Sequence, residues 1–84
     1  MAKILICDDE AGLRSVIKRY AIFEGYAVVE ASDGMEAVEL CRAQKFDIII
    51  MDVMMPALDG FSAVKEIRKI HDTPVIMLTA RGEE

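Results

Sequence analysis

The sequence predicts an α/β fold, a doubly wound parallel sheet with helices on its faces. Short apolar runs rich in β-formers alternate along the chain with longer segments whose apolar residues recur at helical spacing. The order is β-α-β-α-β-α-β, which favours a parallel sheet with right-handed crossovers. The third run, DIIIM over 47–51, is apolar after its first residue, as is typical of a strand covered on both faces. In open sheets of this kind, ligands bind beyond the carboxyl ends of the strands.

The first half of the chain predicts two strands and two helices. Apolar residues in the first helix recur three and four positions apart, and Gly25 is expected to end that helix, as glycine commonly does. Ser32 or Asp33 can cap the second helix, which places Val38 and Cys41 on its inner face. The periodic residues of the first helix are Leu13, Val16, Ile17, Tyr20 and Phe23. The predicted strands cover 3–7 and 26–31, and the predicted helices cover 10–24 and 34–43.

The second half of the chain predicts two strands with a helix between them. After the strand over 47–51, Asp59 or Gly60 is expected to open a third helix. Pro74 then leads into a fourth strand over 75–79 (VIMLT). The residues of the third helix expected to face inward are Phe61, Val64, Ile67 and Ile70.

Composition excludes several classes of protein. The chain has 84 residues, room for one domain, and 54% of them are apolar. Its formal net charge of −5 argues against a nucleic-acid surface, which needs clustered Lys and Arg. No apolar run is long enough to span a membrane and no signal peptide opens the chain, so a cytoplasmic protein is expected. Cys7 and Cys41 lie far apart without metal-ligand spacing, which predicts buried reduced thiols.

Acidic and hydroxyl side chains stand where three of the predicted strands end. Asp8 and Asp9 follow the first strand, Asp52 follows the third, and Thr79 closes the fourth. If the first and third strands are neighbours, these side chains meet at one edge of the sheet. Converging carboxylates repel one another, and a divalent cation with oxygen ligands relieves that repulsion. The sequence therefore predicts a Mg²⁺ site, with Mn²⁺ as a second candidate, to which the Met54 carbonyl could be a further ligand.

A carboxylate beside such a cation can also act as a nucleophile toward phosphorus. Asp52 is the candidate, with the Thr79 hydroxyl bonding a phosphoryl oxygen and with Pro56 and Gly60 shaping the turn above it. Taken singly, each acid would be interpreted as a helix cap or turn residue, which is the interpretation kept for Asp59. The joint placement of these residues at corresponding strand ends favours a functional site.

Two other classes of function are disfavoured by the residues at these positions. A haloacid-dehalogenase-type hydrolase, which also uses an aspartate nucleophile after a strand, would carry a second Asp where Met54 stands. A nucleotide- or flavin-binding domain would need a glycine-rich loop after the first strand. That position holds CDDEAG, which places acids where a phosphate would bind.

The motifs ILICDDE, DIIIMDVMMPALDG and VIMLTA resemble, in order and spacing, those of the receiver domain of bacterial two-component response regulators. The resemblance implies a flavodoxin-like (CheY-like) fold. It implies that Asp52 accepts a phosphoryl group from the phosphohistidine of a sensor histidine kinase. It further implies that Asp8, Asp9, Asp52 and the Met54 carbonyl hold Mg²⁺, and that Thr79 is the switch hydroxyl. Such a domain is a signalling switch rather than a turnover enzyme, and the parent protein is expected to carry a DNA-binding output domain.

The chain departs from the family pattern at its carboxyl end. It stops at Glu84, so a partial receiver domain over 1–84 is expected, with strand order 2-1-3-4 and without α4-β5-α5. The absent part includes the family's lysine that contacts the phosphoryl group. A homodimer or swapped oligomer is expected through the strand-four edge or the uncovered sheet face. The alternative function is a truncated fragment, natural or engineered, that binds Mg²⁺ and self-associates but does not switch.

Overall fold

The computed structural model describes residues 1–78, which form four strands and three helices in the predicted order. All pairs of neighbouring strands are parallel, and the sheet order is β2-β1-β3-β4. The predicted fold class and strand order are therefore confirmed. The elements are β1 (Lys3–Cys7), α1 (Ala11–Phe23), β2 (Ala27–Ala31), α2 (Gly34–Ala43), β3 (Ile48–Asp52), α3 (Gly60–Arg68) and β4 (Val75–Leu78).

The register of the central strands brings the acidic positions together. Within the β1–β3 pair, Cys7 lies beside Met51, so the residues that follow them leave the sheet side by side. On the other side of β3, Asp52 pairs with Leu78 at the end of β4. Asp52 is thus the last residue of its strand, whereas the sequence predicted it to be the first residue after the strand.

The main core lies between the sheet and helices α2 and α3. Alternate residues of the two central strands point into it, as the two-residue period of a strand requires. Val38, Cys41, Ala63 and Ile67 close it from the helices, and all four are at most 4% exposed. Each large apolar side chain buried in this way stabilises the fold by about 1.5–3 kcal/mol. The strand residues in this core are Leu5, Cys7, Ile49 and Met51.

The opposite face of the sheet carries α1, which packs on β1 and β2. Ile4 and Ile6 are buried on this side. Farther along, Ile48 and Ile50 are only half-buried, and Ile76 on β4 is 50% exposed. The expectation that β3 is covered on both faces is therefore wrong for the described residues, since α1 does not extend over β3.

The inward face of α3 agrees with the predicted one at Ile67, which is buried, and at Val64, which packs against the core, but not at Phe61 or Ile70, the latter lying beyond the end of the helix. Phe61 is 63% exposed and Ile70 is 39% exposed, whereas Gly60, Ala63 and Ile67 are buried. At the start of the helix, Gly60 lies against the backbone at the end of β3, where a Cβ would overlap the Asp52 carbonyl oxygen. In the first half of the chain, the predicted helix α1 is confirmed, but several of the apolar residues that recur at helical spacing in it are exposed. These are Leu13, Val16, Tyr20 and Phe23.

Helix ends follow the signals in the sequence. Asp33 and Asp59 each accept a hydrogen bond at 2.8 Å from the backbone N–H three residues on, which is N-capping. Gly25 adopts a φ of 96°, and its N–H donates to the Ile22 carbonyl at 2.9 Å, which ends α1. Both cysteines are buried and free, as predicted. Among the helices of residues 1–78, none has the length and apolar character needed to cross a bilayer.

Candidate functional site

Three carboxylates converge at the carboxyl edge of the sheet. One oxygen from each of Asp8, Asp9 and Asp52 lies within 4.8 Å of the oxygens of the other two. Asp8 is 2% exposed and Asp52 is 9% exposed, whereas Asp9 faces solvent. These residues line a cavity of about 250 Å³. The rest of its lining consists of Glu10, Leu13, Met54 and Leu78.

Backbone hydrogen bonds hold both buried carboxylates in place. The Asp8 N–H donates to the Ala31 carbonyl at 3.2 Å, which continues the β1–β2 pairing one residue past the strand. The Asp8 carboxylate accepts from the Glu10 N–H at 2.9 Å. On β3, an oxygen of Asp52 accepts a longer bond of 3.4 Å from the Met54 N–H. The remaining acceptor positions of these carboxylates are thus available to a cation.

The loop between β3 and α3 returns tightly toward Asp52. A Cβ placed on Gly60 would lie 2.1 Å from the carbonyl oxygen of Asp52, so only glycine fits this contact. The Gly60 N–H also donates to the Val53 carbonyl at 2.9 Å. Pro56 accepts from the Leu58 N–H at 2.7 Å across Ala57, whose φ is 68°. The loop is therefore compact and strongly constrained.

Pro56 lies beside a different opening from the acidic cavity. It lines a neighbouring groove of about 510 Å³ that also includes Met54 and Asp9. Of the two residues expected to shape the loop, Gly60 therefore contacts Asp52 directly, whereas Pro56 supports the outer part of the turn. Thr79, the expected switch hydroxyl, lies outside the described residues, although Leu78 before it lines the acidic cavity.

The electrostatic environment of Asp52 favours its protonated form. Burial raises the pKa of Asp52, the charge of Asp8 raises it further, and the hydrogen bond from the Met54 N–H acts in the opposite direction. Behind the site, burial followed by the charge of Asp33 raises the pKa of Cys7 to about 12. The Cys7 thiol therefore stays protonated and neutral, and the carboxylates supply the negative charge of the site.

We expect the stability of the metal-free protein to depend on pH through Asp52. A carboxyl pKa raised by folding stabilises the fold at pH values below the ordinary carboxyl pKa, and this contribution is lost as pH rises through the raised value. The free energy of unfolding in chelator should therefore fall across that window more steeply for the wild type than for Asp52→Asn. At neutral pH without metal, Asp52→Asn should be more stable than the wild type, because one of three close negative charges is removed. Parallel profiles from denaturant titrations of the two proteins would contradict this assignment.

The donor set fits a hard divalent cation. Mg²⁺ and Mn²⁺ prefer oxygen ligands, and Mg²⁺ takes one or two carboxylates while keeping several waters. Asp9 is exposed to water and Asp52 borders the cavity, so both can offer an oxygen to one ion. Met54 also lines this cavity. Sequence reasoning missed one neighbour of the site, Arg14, whose guanidinium donates to the Asp8 carbonyl at 2.6 Å.

Comparison with known proteins identifies the family. Residues 4–84 match the family described as the response regulator receiver domain. A probable transcriptional regulator, ycf27, from Guillardia theta is 49% identical over 81 residues, which are 96% of this chain and 32% of that protein. The chain therefore spans about a third of the length of this curated relative.

Solved structures agree with this assignment. The receiver domain of the sensor histidine kinase PA1611 from Pseudomonas aeruginosa, which has a magnesium ion coordinated in its active-site cleft, superimposes with a TM-score of 0.92 at 36% identity. That match covers 99% of this chain and 70% of the other. The response regulator TrrA from Thermotoga maritima, in complex with Mg²⁺–BeF, gives a TM-score of 0.91 at 36% identity over 98% of this chain and 72% of the other. The chain belongs to the response regulator receiver domain family.

Proposed function

We propose that the protein is a phospho-accepting signalling domain of a two-component system. In this proposal Asp52 takes a phosphoryl group, in a Mg²⁺-dependent reaction, from the phosphohistidine of a sensor histidine kinase. The observation that carries the proposal is the convergence of Asp8, Asp9 and Asp52, whose oxygens lie within 4.8 Å of one another at the mouth of a cavity. Buried like charges at this spacing are costly unless a cation or proton accompanies them.

The carboxylates of Asp8, Asp9 and Asp52 and the carbonyl of Met54 would hold the ion. Bound there, Mg²⁺ would neutralise the charge of the carboxylates and of the phosphoryl group that approaches them. The magnesium ion in the active-site cleft of the PA1611 receiver domain supports this ligand chemistry. All of these donors are oxygen atoms, which suit Mg²⁺ and Mn²⁺ better than softer ions.

The chain's own contribution to the transfer is to hold and orient the nucleophile. An Asp52 oxygen attacks phosphorus, an O–P bond forms, and the P–N bond of the phosphohistidine breaks, so that the imidazole leaves with the bonding electron pair. The Met54 N–H, 3.4 Å from one Asp52 oxygen, orients the carboxylate so that its other oxygen is the attacking atom. We assign to the Thr79 hydroxyl, next in sequence after β4, a hydrogen bond to the transferred group.

The transfer sets a signalling state rather than supporting turnover of a substrate. We propose a cytoplasmic location, as part of a longer transcriptional regulator whose output domain binds DNA. The proposal of a longer transcriptional regulator is supported by the similarity to a probable transcriptional regulator about three times as long as the match. This chain itself carries a net charge of −5 and is proposed not to bind nucleic acid.

The proposal is tested by incubating the protein with a small acyl phosphate and measuring its intact mass. A phosphoryl adduct should form with Mg²⁺ or Mn²⁺ and should be absent in chelator. Failure to form an adduct when Mg²⁺ binding is detectable would contradict phosphoryl acceptance. It would favour the second candidate, a receiver fragment that binds Mg²⁺ and self-associates without switching.

We also propose that the 84-residue polypeptide self-associates, as a homodimer or swapped oligomer. Within residues 1–78, β4 forms an edge of the sheet, and its four residues carry no charge. Charged residues and prolines within a strand are the usual protections of an edge, and β4 lacks both. Ile76 in this strand is 50% exposed, and so adds apolar surface beside the unpaired backbone.

We expect Ile76→Lys to weaken self-association by roughly tenfold, because a lysine on an edge strand opposes pairing with another chain. Analytical ultracentrifugation over a range of protein concentrations measures the dissociation constant. Met35→Lys is the matched control, since Met35 is 52% exposed on α2, on the opposite side of the sheet. A wild-type mass that stays monomeric at every concentration would refute self-association.

A further inference from the structure

Arg14 joins the acidic turn to the rest of the fold. It lies in the first turns of α1, and its side chain is only 17% exposed. One guanidinium nitrogen, Nη1, donates to the carbonyl oxygen of Asp8 at 2.6 Å. A second, Nε, donates to Glu30 Oε1 on β2 at 3.1 Å. A single side chain thus connects the end of β1, helix α1 and strand β2.

The turn that carries Asp8 and Asp9 has few other restraints. Helix α1 begins there without a side-chain cap, since Glu10 makes no capping hydrogen bond, whereas α2 and α3 are capped by aspartates. Asp8 is held through its N–H by Ala31 and through its carboxylate by the Glu10 N–H. The Arg14 contact holds the carbonyl oxygen of Asp8, which belongs to the peptide unit that joins Asp8 to Asp9. The orientation of Asp9 therefore depends on a peptide that Arg14 fixes.

Glu30 determines where the Arg14 guanidinium points. Its carboxylate accepts from Arg14 and also pairs with Lys18 Nζ at 3.2 Å. Among the described hydrogen bonds and ion pairs, Arg14 is matched by Glu30 and by a backbone carbonyl rather than by a carboxylate of the acidic site. Its charge therefore does not occupy the positions that a metal ion would take.

We propose that Arg14 is a positioning residue for the cation site, acting through the Asp8 carbonyl, with Glu30 holding its guanidinium in place. Mg²⁺ demands near-ideal octahedral geometry, so its affinity is sensitive to the relative placement of the oxygens of Asp8 and Asp9. Groups that orient metal ligands from outside typically change affinity by about 10- to 100-fold when they are removed. This inference rests on the proposed function, because it assumes that these carboxylates bind a divalent cation.

The test measures the dissociation constant of Mg²⁺ by calorimetry for the wild type and for two matched variants. Arg14→Met keeps the length and apolar stem of the side chain but removes its donors. Lys18→Met removes the other cation paired with Glu30 and leaves the Asp8 carbonyl contact intact. We expect Arg14→Met to weaken Mg²⁺ binding about 10- to 100-fold, and Lys18→Met to leave it within about twofold of the wild type.

A second readout separates positioning from structural support. Phosphorylation of Arg14→Met by an acyl phosphate should approach the wild-type rate at saturating Mg²⁺, since Asp52 itself is unaltered. A purely structural role would lower the free energy of unfolding of both variants and leave the Mg²⁺ dissociation constant unchanged. That result, or equal weakening by Lys18→Met, would overturn the proposal.

Glu30→Gln provides an independent variant if Arg14→Met does not fold. It keeps the guanidinium and removes the charge that holds it, so we expect a several-fold weakening of Mg²⁺ binding. An unchanged dissociation constant in Glu30→Gln would then overturn the proposal. If the wild type, Arg14→Met and Glu30→Gln all bind Mg²⁺ equally well, the result contradicts only the role of Arg14. Wild-type protein that binds no Mg²⁺ contradicts the proposed function and this inference together.

Discussion

Replacing Gly60 with alanine is expected to damage both the fold and the site. The new Cβ would lie 2.1 Å from the Asp52 carbonyl oxygen and 3.0 Å from the Val53 Cα, and both of these are backbone atoms. Because backbone cannot move aside as a flexible side chain can, α3 or β3 must shift. Overpacking of this kind costs about 1–3 kcal/mol of unfolding free energy. A shift of Asp52 by about 1 Å should also slow phosphorylation by about 100-fold.

Two other glycines provide matched controls for Gly60→Ala. At Gly12, in α1, an added Cβ meets nothing within 4 Å, so Gly12→Ala should stabilise the helix by up to about 1 kcal/mol. At Gly34, a Cβ would lie 2.2 Å from the Leu58 carbonyl oxygen, so Gly34→Ala should destabilise the fold without contacting Asp52. Chemical denaturation gives the stabilities, and phosphorylation rates under folding conditions give the effect on the site. Equal phosphorylation rates in Gly60→Ala and Gly34→Ala would show that the contact with Asp52 has no separate role.

Asp52→Asn is expected to abolish phosphoryl acceptance while keeping the fold. An amide occupies nearly the same volume as the carboxylate but lacks the anionic oxygen that would attack phosphorus. The loss should be complete, and the variant should be at least as stable as the wild type without metal, because one of three close negative charges is removed. Intact mass after incubation with an acyl phosphate and Mg²⁺ measures the first effect, and thermal unfolding in chelator measures the second.

Asp9→Asn distinguishes the nucleophile from a metal ligand. Asp9 shares the acidic cluster but is exposed, and in the proposed mechanism it only helps to hold the ion. We therefore expect Asp9→Asn to weaken Mg²⁺ binding by at least about tenfold and to retain slow phosphorylation that rises with Mg²⁺ concentration. A variant with no adduct at any Mg²⁺ concentration would contradict this division of roles.

The periodicity of the sequence was sufficient to predict the order of elements and most of their bounds. Alternating short apolar runs and amphipathic segments correspond to the four strands and three helices of residues 1–78. The N-terminal caps were equally predictable, since Asp33 and Asp59 both cap the helices that they precede. These signals are local, and they depend on residues within a few positions of one another.

The orientation of α3 was only partly predictable from its apolar residues, since Ile67 and Val64 face the core as predicted. Phe61 and Ile70 fit a helical stripe in the sequence, yet both are exposed. The close contact between Gly60 and the carbonyl of Asp52 joins the start of this helix to the end of β3, two elements whose distance only the fold determines. A small residue at a close approach leaves no periodic signal in the sequence.

The acidic cluster was predictable in composition, whereas its supporting contacts were not. Asp8, Asp9 and Asp52 follow from strand-end placement together with the β1–β3 pairing, which the family resemblance supplied. Arg14 gave no such signal, because a basic residue among the apolar positions of an amphipathic helix is ordinarily a solvated side chain. Its contacts with the Asp8 carbonyl and with Glu30 depend on the packing of α1 against β1 and β2.

Identifying the carboxylate that carries the phosphoryl group is the most direct measurement of how this site works. The protein is phosphorylated with a small acyl phosphate and Mg²⁺, and the aspartyl phosphate formed on the protein is then trapped by borohydride reduction. The peptides are sequenced by mass spectrometry. We predict modification of Asp52 alone, with none in Asp52→Asn. Modification of Asp8 or Asp9, or no modification of a protein that binds Mg²⁺, would contradict the assignment of Asp52 as the phosphoryl acceptor.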